Sequence, residues 1–238
     1  MRNKTSKLFY SILYPALFVS LLWIIQLFEY ATNNNFSWYG IYPRTVHGLI
    51  GIFTAPLVHG SFDHLASNSL PLLITGTTLL YFYRSIAFQV FCWLYIMTGI
   101  WVWASARESY HIGASCVLYG LVAFLFFSGV FRKDTRLLAL SMFVVFLYGG
   151  TVWGMLPLRS GISWESHLMG ALAGLITAYN FRKEGPLPHK YDLGDDEENE
   201  LIDVSGEQYH ETDDEQKEPV TVVYTVIPQK SPDNNSPS

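Results

Sequence analysis

His111-Ile112-Gly113-Ala114-Ser115-Cys116-Val117-Leu118-Tyr119-Gly120 leads into Leu121-Val122-Ala123-Phe124-Leu125-Phe126-Phe127, and this stretch decides the fold. A serine flanked by small residues stands at the mouth of a long apolar helix. Small residues let membrane helices approach closely, so one reading of Ser115 is an ordinary interhelical contact. The other is a nucleophile held where a membrane helix meets water. Its company favours the second: His64 and Asn68 lie upstream and His167 downstream.

Hydrophobic residues make up 50% of the 238-residue chain and charged residues only 15%. Soluble domains carry roughly 25% charge, so this balance points to a membrane protein. The charge is also unevenly spread. Residues 1–182 hold eleven Lys/Arg against five Asp/Glu, whereas residues 183–238 hold four against fifteen. The expectation is therefore a membrane domain over 1–182 and an acidic tail over 183–238. Cys92 and Cys116 both sit inside apolar runs, which excludes a disulfide framework and any zinc-ligand spacing. No basic patch interleaved with aromatics is present, so nucleic acid is excluded as a partner.

Working outward along the chain, a basic start (Arg2, Lys4, Lys7) precedes an apolar run over residues 8–30. At about 1.5 Å per residue that run crosses a bilayer. It is too long for a signal peptide, no small-residue cleavage site follows it, and further spans come after. Residues 31–61 are rich in Trp, Tyr and Asn, which predicts a folded element lying in the membrane interface. Further spans are expected at 64–83, 86–104, 115–130, 137–156 and 163–181. The second is unusually polar, with Ser67, Asn68, Ser69, Thr75, Thr77 and Thr78, and so is expected to be buried among other helices. The third is more uniformly apolar and suited to facing lipid.

Nine Lys/Arg flank the spans on the side of the amino terminus and three (Arg44, Arg107, Arg159) on the other. The excess of positive charge places both termini in the cytoplasm. His64, Ser115 and His167 then all fall at the outward-facing start of an inward-running helix. The fold class expected is all-α: a polytopic bundle of six transmembrane helices with a disordered, acidic carboxy-terminal tail. Within the tail, residues 220–227 alternate in a strand-like pattern, more simply a sticky patch in a disordered segment than a strand that joins a partner's sheet.

A serine hydroxyl needs an adjacent base to become a nucleophile, most often histidine. Ser115 and His167 form that pair if the fourth and sixth spans touch. Gly170 and Gly174 supply a small-xxx-small step for such a contact, and Gly113, Ala114 and Gly120 keep the fourth span slim. His64 and Asn68, four apart, share one helix face and can hold an oxyanion together with the backbone N–H of Ser115. Tyr119, one turn after Ser115, is placed to stack on His167. Glu165 reads most simply as a carboxylate serving the helix dipole.

These residues resemble a known family. His59-xxxx-His64-xxx-Asn68, Gly113-Ala114-Ser115 and His167-xx-Gly170-xxx-Gly174 follow the order, spacing and span positions of the rhomboid intramembrane serine proteases. The resemblance covers roughly residues 8–182. It implies a dyad of Ser115 as nucleophile and His167 as general base, with His64 and Asn68 on the oxyanion side and Tyr119 stacking. Gly113, His59, Gly170 and Gly174 play supporting parts. It further implies hydrolysis of peptide bonds in membrane-spanning protein substrates, with no metal and no organic cofactor. The location implied is a bacterial inner (plasma) membrane. Three departures stand out: Pro43-Arg44 in place of the family's Trp-Arg pair, Cys116 where many members have glycine, and Ser166 where glycine is common.

Other classes fit less well. A soluble serine hydrolase needs a second glycine after the serine and a preceding strand. A zinc intramembrane protease needs His-Glu-xx-His, which is absent from the sequence. A transporter predicts a binding constellation at mid-membrane, whereas these residues gather at one face. A catalytically inactive rhomboid-like protein that binds membrane clients is the nearest rival.

Overall fold

A computed structural model describes residues 4–147, 153–157, 161 and 163–185. The acidic tail and its 220–227 segment lie outside the described residues from 186 onward. Among the described residues the fold is all-α. Helix α1 (Lys4–Thr32) is followed by short turns, the one-turn helix α2 (Gly51–Thr54), and then α3 (Phe62–Phe82), α4 (Ala87–Ser105), α5 (Ser115–Arg132), α6 (Thr135–Leu147) and α7 (Trp164–Asn180).

Each helix buries the stripe that its sequence period dictates. On α1, Ser11, Pro15, Val19, Leu22 and Gln26 turn inward, while Leu17, Ile24 and Phe28 are exposed. A helix with aliphatic and aromatic side chains over its outer face is in place in lipid, not in water. On α4 the inward stripe is Val90, Leu94, Thr98 and Val102, and Phe88, Trp93 and Ile100 face out. Helices α1, α4 and α5 are each long and apolar enough to cross a membrane. The chain is an integral, multi-pass membrane protein.

Helix α5 is the centre. Its residues from Ser115 to Leu125 are all buried, as expected for a helix apolar on every side. Helices α3, α4, α6 and α7 pack around it, and α1 closes the bundle against α3. The polarity of α3 is absorbed internally: Ser69, Thr75 and Thr78 donate to the carbonyls of Leu65, Pro71 and Ile74 at 2.7–2.8 Å. That removes each hydroxyl from contact with hydrocarbon.

The aromatic 31–61 stretch is folded, as its composition predicted. It runs through 3-10 turns at Phe36–Tyr39, His47–Leu49 and Ala55–Leu57. Arg44 anchors it, its backbone N–H bonding Trp103 O at 2.9 Å and its guanidinium bonding Ala106 O at 2.7 Å. The 137–156 run departs from expectation. It is not one helix, since α6 is described to Leu147 and Trp153–Met155 forms a separate 3-10 turn. Hydropathy registers the apolar run but not the 3-10 turn at Trp153–Met155.

The most extensive helix contact joins α5 to α7. A methyl at Gly170 would overlap the carbonyl oxygen of Cys116, and one at Gly174 the carbonyl oxygen of Gly120. Backbone thus meets backbone. Gly170→Ala and Gly174→Ala are each expected to destabilise the protein by about 1–3 kcal/mol through overpacking. At Gly60 an added methyl meets only Ile112 Cδ1 at 3.6 Å, and Gly60→Ala should be neutral. Thermal midpoints in detergent check this; equal midpoints for all three would contradict the packing described.

Candidate active site

Three helix starts converge at one end of the bundle. Ser115 opens α5, His64 lies in the first turn of α3, and His167 in the first turn of α7. The backbone before Ser115 is set by Gly113, whose φ of +108° is strained for any residue with a side chain. Its N–H bonds Ala55 O at 2.9 Å, and a methyl there would lie 2.7 Å from His64 Cε1. The His64 ring therefore lies directly against the turn that presents the serine.

His59 holds the next residue. Its Nε2 accepts from the Ala114 N–H at 3.3 Å, so its proton sits on Nδ1. Burial, and then the neighbouring His64, lower its pKa from 6.5 to about 4, with the Leu57 backbone opposing. The ring is accordingly neutral, and it meets His64 edge to face at 5.1 Å. Asn68, one turn beyond His64, is buried and its Nδ2 has no hydrogen-bond partner. The first α5 bond within this turn runs from Leu118 N–H to Ala114 O, leaving the N–H groups of Ser115, Cys116 and Val117 without an intrahelical acceptor.

Ser115 Oγ and His167 Nε2 are 2.8 Å apart, both residues buried. His167 Nδ1 is 2.9 Å from the carbonyl oxygen of Gly154. A carbonyl can only accept, so Nδ1 carries the proton and Nε2 presents its lone pair to the serine hydroxyl. This is the tautomer a general base requires. The Tyr119 ring stacks on His167 at 4.1 Å and 7°, fixing the plane of the imidazole. Gly154 leaves room for this arrangement, since a methyl there would overlap the Tyr119 hydroxyl.

The sequence-predicted residues are thus largely brought together: Ser115, His167 and Tyr119 in direct contact, Gly113, His59 and His64 around the serine turn, Gly170 and Gly174 in the α5–α7 seam. Asn68 is buried on α3, one helical turn after His64. The Gly154 carbonyl escaped the sequence reading, because any residue offers one. Glu165 does more than serve a dipole: its carboxylate is buried and lies 3.5 Å from Arg107 Nε.

Fold and site together define a helical membrane protein with a serine–histidine pair at the mouth of its central helix. The Rhomboid domain model matches residues 46–184, and the chain belongs to the rhomboid family. An uncharacterized protein of Mycobacterium tuberculosis is 34% identical over 171 residues, covering 68% of this chain and 71% of that one. An uncharacterized protein of Mycobacterium leprae is 31% identical over 172 residues, covering 68% of each. No solved structure is a significant match.

The buried, neutral His59 makes stability depend on pH. Between pH 6.5 and about 4 the unfolded chain takes up a proton at this residue that the folded chain resists, so stability falls as pH falls through that window. His59→Gln removes this contribution, and its thermal midpoint should decline less over the same range. Parallel pH profiles for the two proteins would exclude a buried neutral His59.

Proposed function

We propose that this protein is an intramembrane serine endopeptidase acting through Ser115 and His167. The observation that carries the reading is the 2.8 Å contact between Ser115 Oγ and His167 Nε2, with Nδ1 held by a carbonyl. His167 takes the hydroxyl proton as Ser115 Oγ attacks the scissile carbonyl carbon. The oxyanion that forms is met by the N–H of Ser115, the His64 ring and the Asn68 amide. Collapse breaks the C–N bond, and His167 delivers the proton to the departing amine. Water, activated by the same imidazole, then hydrolyses the acyl-enzyme and restores the serine.

The unpartnered Asn68 Nδ2 supports this assignment, because a buried amide donor left empty is costly unless something transient fills it. The substrate class is membrane-spanning proteins whose helix unravels near the site, since only an unwound segment exposes its peptide carbonyls. Flanking charge supports six spans with both termini cytoplasmic and the site toward the outer leaflet, and the mycobacterial relatives support a bacterial plasma membrane.

In liposomes the wild-type protein should cleave a model transmembrane substrate and should be labelled at Ser115 by a fluorophosphonate. Ser115→Ala and His167→Ala should each lower cleavage by roughly 10,000-fold or more, and Asn68→Ala by about 100-fold. Substrate that binds wild-type protein with neither cleavage nor labelling would identify an inactive client-binding member of the family. Cleavage surviving in Ser115→Ala would dismiss the dyad.

A further inference from the structure

We infer that His111, which the proposed dyad does not use, is the residue that positions His167 against Ser115. This rests on the protease reading above and adds a determinant outside its reacting groups. His111 is four residues before Ser115 and only 2% exposed. Its N–H and C=O both bond the backbone of Ile41, at 2.9 and 3.0 Å, so its own backbone is fixed. Its Nε2 is 2.9 Å from Arg107 O, and a carbonyl can only accept, so Nε2 bears the proton. Nδ1 is then an acceptor, 2.5 Å from Ser163 Oγ, and the Ser163 hydroxyl donates to it. Ser163 Oγ in turn lies 2.5 Å from Ser166 Oγ, whose hydroxyl fills its free lone pair.

The chain of bonds therefore runs from the residue adjoining His167 to the segment that leads into Ser115. Arg107 and Glu165 make a second tie between the same two elements, at 3.5 Å. Ser163 occupies the N-cap position of α7, yet its side chain makes no capping bond. A serine there ordinarily accepts from the N–H groups of the first turn. Here its hydroxyl is turned to His111, against the helix's own preference. Stability of α7 alone does not account for that choice; registration of its first turn on the α4–α5 loop does. The glycine contacts at Gly170 and Gly174 set the helix spacing lower down, and the His111–Ser163 bond sets the height and rotation of the end that carries the base.

The test compares Ser163→Ala, Ser163→Thr and His111→Gln with wild type, as full-length protein in liposomes, by cleavage kinetics, rate of fluorophosphonate labelling at Ser115, and thermal midpoint. A misplacement of about 1 Å costs on the order of 100-fold, so Ser163→Ala should lose about 10- to 100-fold in kcat. Labelling should slow in parallel, while KM stays within about twofold, as expected when the loss is confined to the transition state. Ser163→Thr keeps the hydroxyl and should restore most of the rate. The double variant Ser163→Ala/His111→Gln should be no slower than the slower single one, because both remove one bond. Wild-type kcat in Ser163→Ala, or equal loss in Ser163→Ala and Ser163→Thr, would overturn the inference and leave the dyad standing. Wild-type protein inert to both substrate and probe would overturn the dyad, and this inference with it.

Discussion

The contact of α5 with α7 is the constraint on which everything else rests. In lipid there is no hydrophobic drive to bring two helices together, because the hydrocarbon around them is as apolar as their side chains. Close packing must supply the attraction, and it is greatest where no side chain separates the backbones. Gly170 against Cys116 and Gly174 against Gly120 provide that approach. Only with the axes this close does a serine on one helix reach an imidazole on the other. The seam is at once the structural core and the precondition of the Ser115–His167 contact.

Polar groups placed inside such a bundle must each be answered, and the way they are answered separates framework from site. Ser69, Thr75 and Thr78 close onto their own helix. His59 is neutral and accepts from the Ala114 N–H through Nε2. His167 has both nitrogens engaged. Asn68 Nδ2 is a buried donor without a hydrogen-bond partner, and the first N–H groups of α5 have no intrahelical acceptor. Unanswered donors gathered beside a serine hydroxyl favour an anionic visitor, and an acyl-transfer intermediate is such a visitor.

The sequence disclosed the helices because apolar runs and hydroxyl-rich runs have lengths and periods that lipid enforces. It pointed to Ser115, His167, His64 and Asn68 as candidates because histidine and asparagine are rare in membrane helices and a serine beside them is chemically suggestive, and Ser115 and His167 do lie 2.8 Å apart. It did not disclose the Gly154 carbonyl that orients His167, since a backbone acceptor leaves no mark in composition. Nor did it assign anything to His111 or Ser163, which meet across 52 residues and have no spacing that links them. The single span expected over 137–156 fails for a related reason: hydropathy does not register the separate 3-10 turn at Trp153–Met155.

Cys116 shows how a departure from the family pattern is accommodated. The position after Ser115 carries a backbone N–H, and any residue but proline has one. A side chain there must avoid both the serine and α7. The Cys116 Sγ does so by turning back to the Gly113 carbonyl, 3.6 Å away, inside the turn that Gly113 creates. The Cys116 carbonyl meanwhile remains against Gly170. A small, weakly donating thiol fits this fold-back. Position 116 therefore carries a thiol where glycine would carry only a hydrogen, and the fold-back onto the Gly113 carbonyl is what accommodates the added atoms.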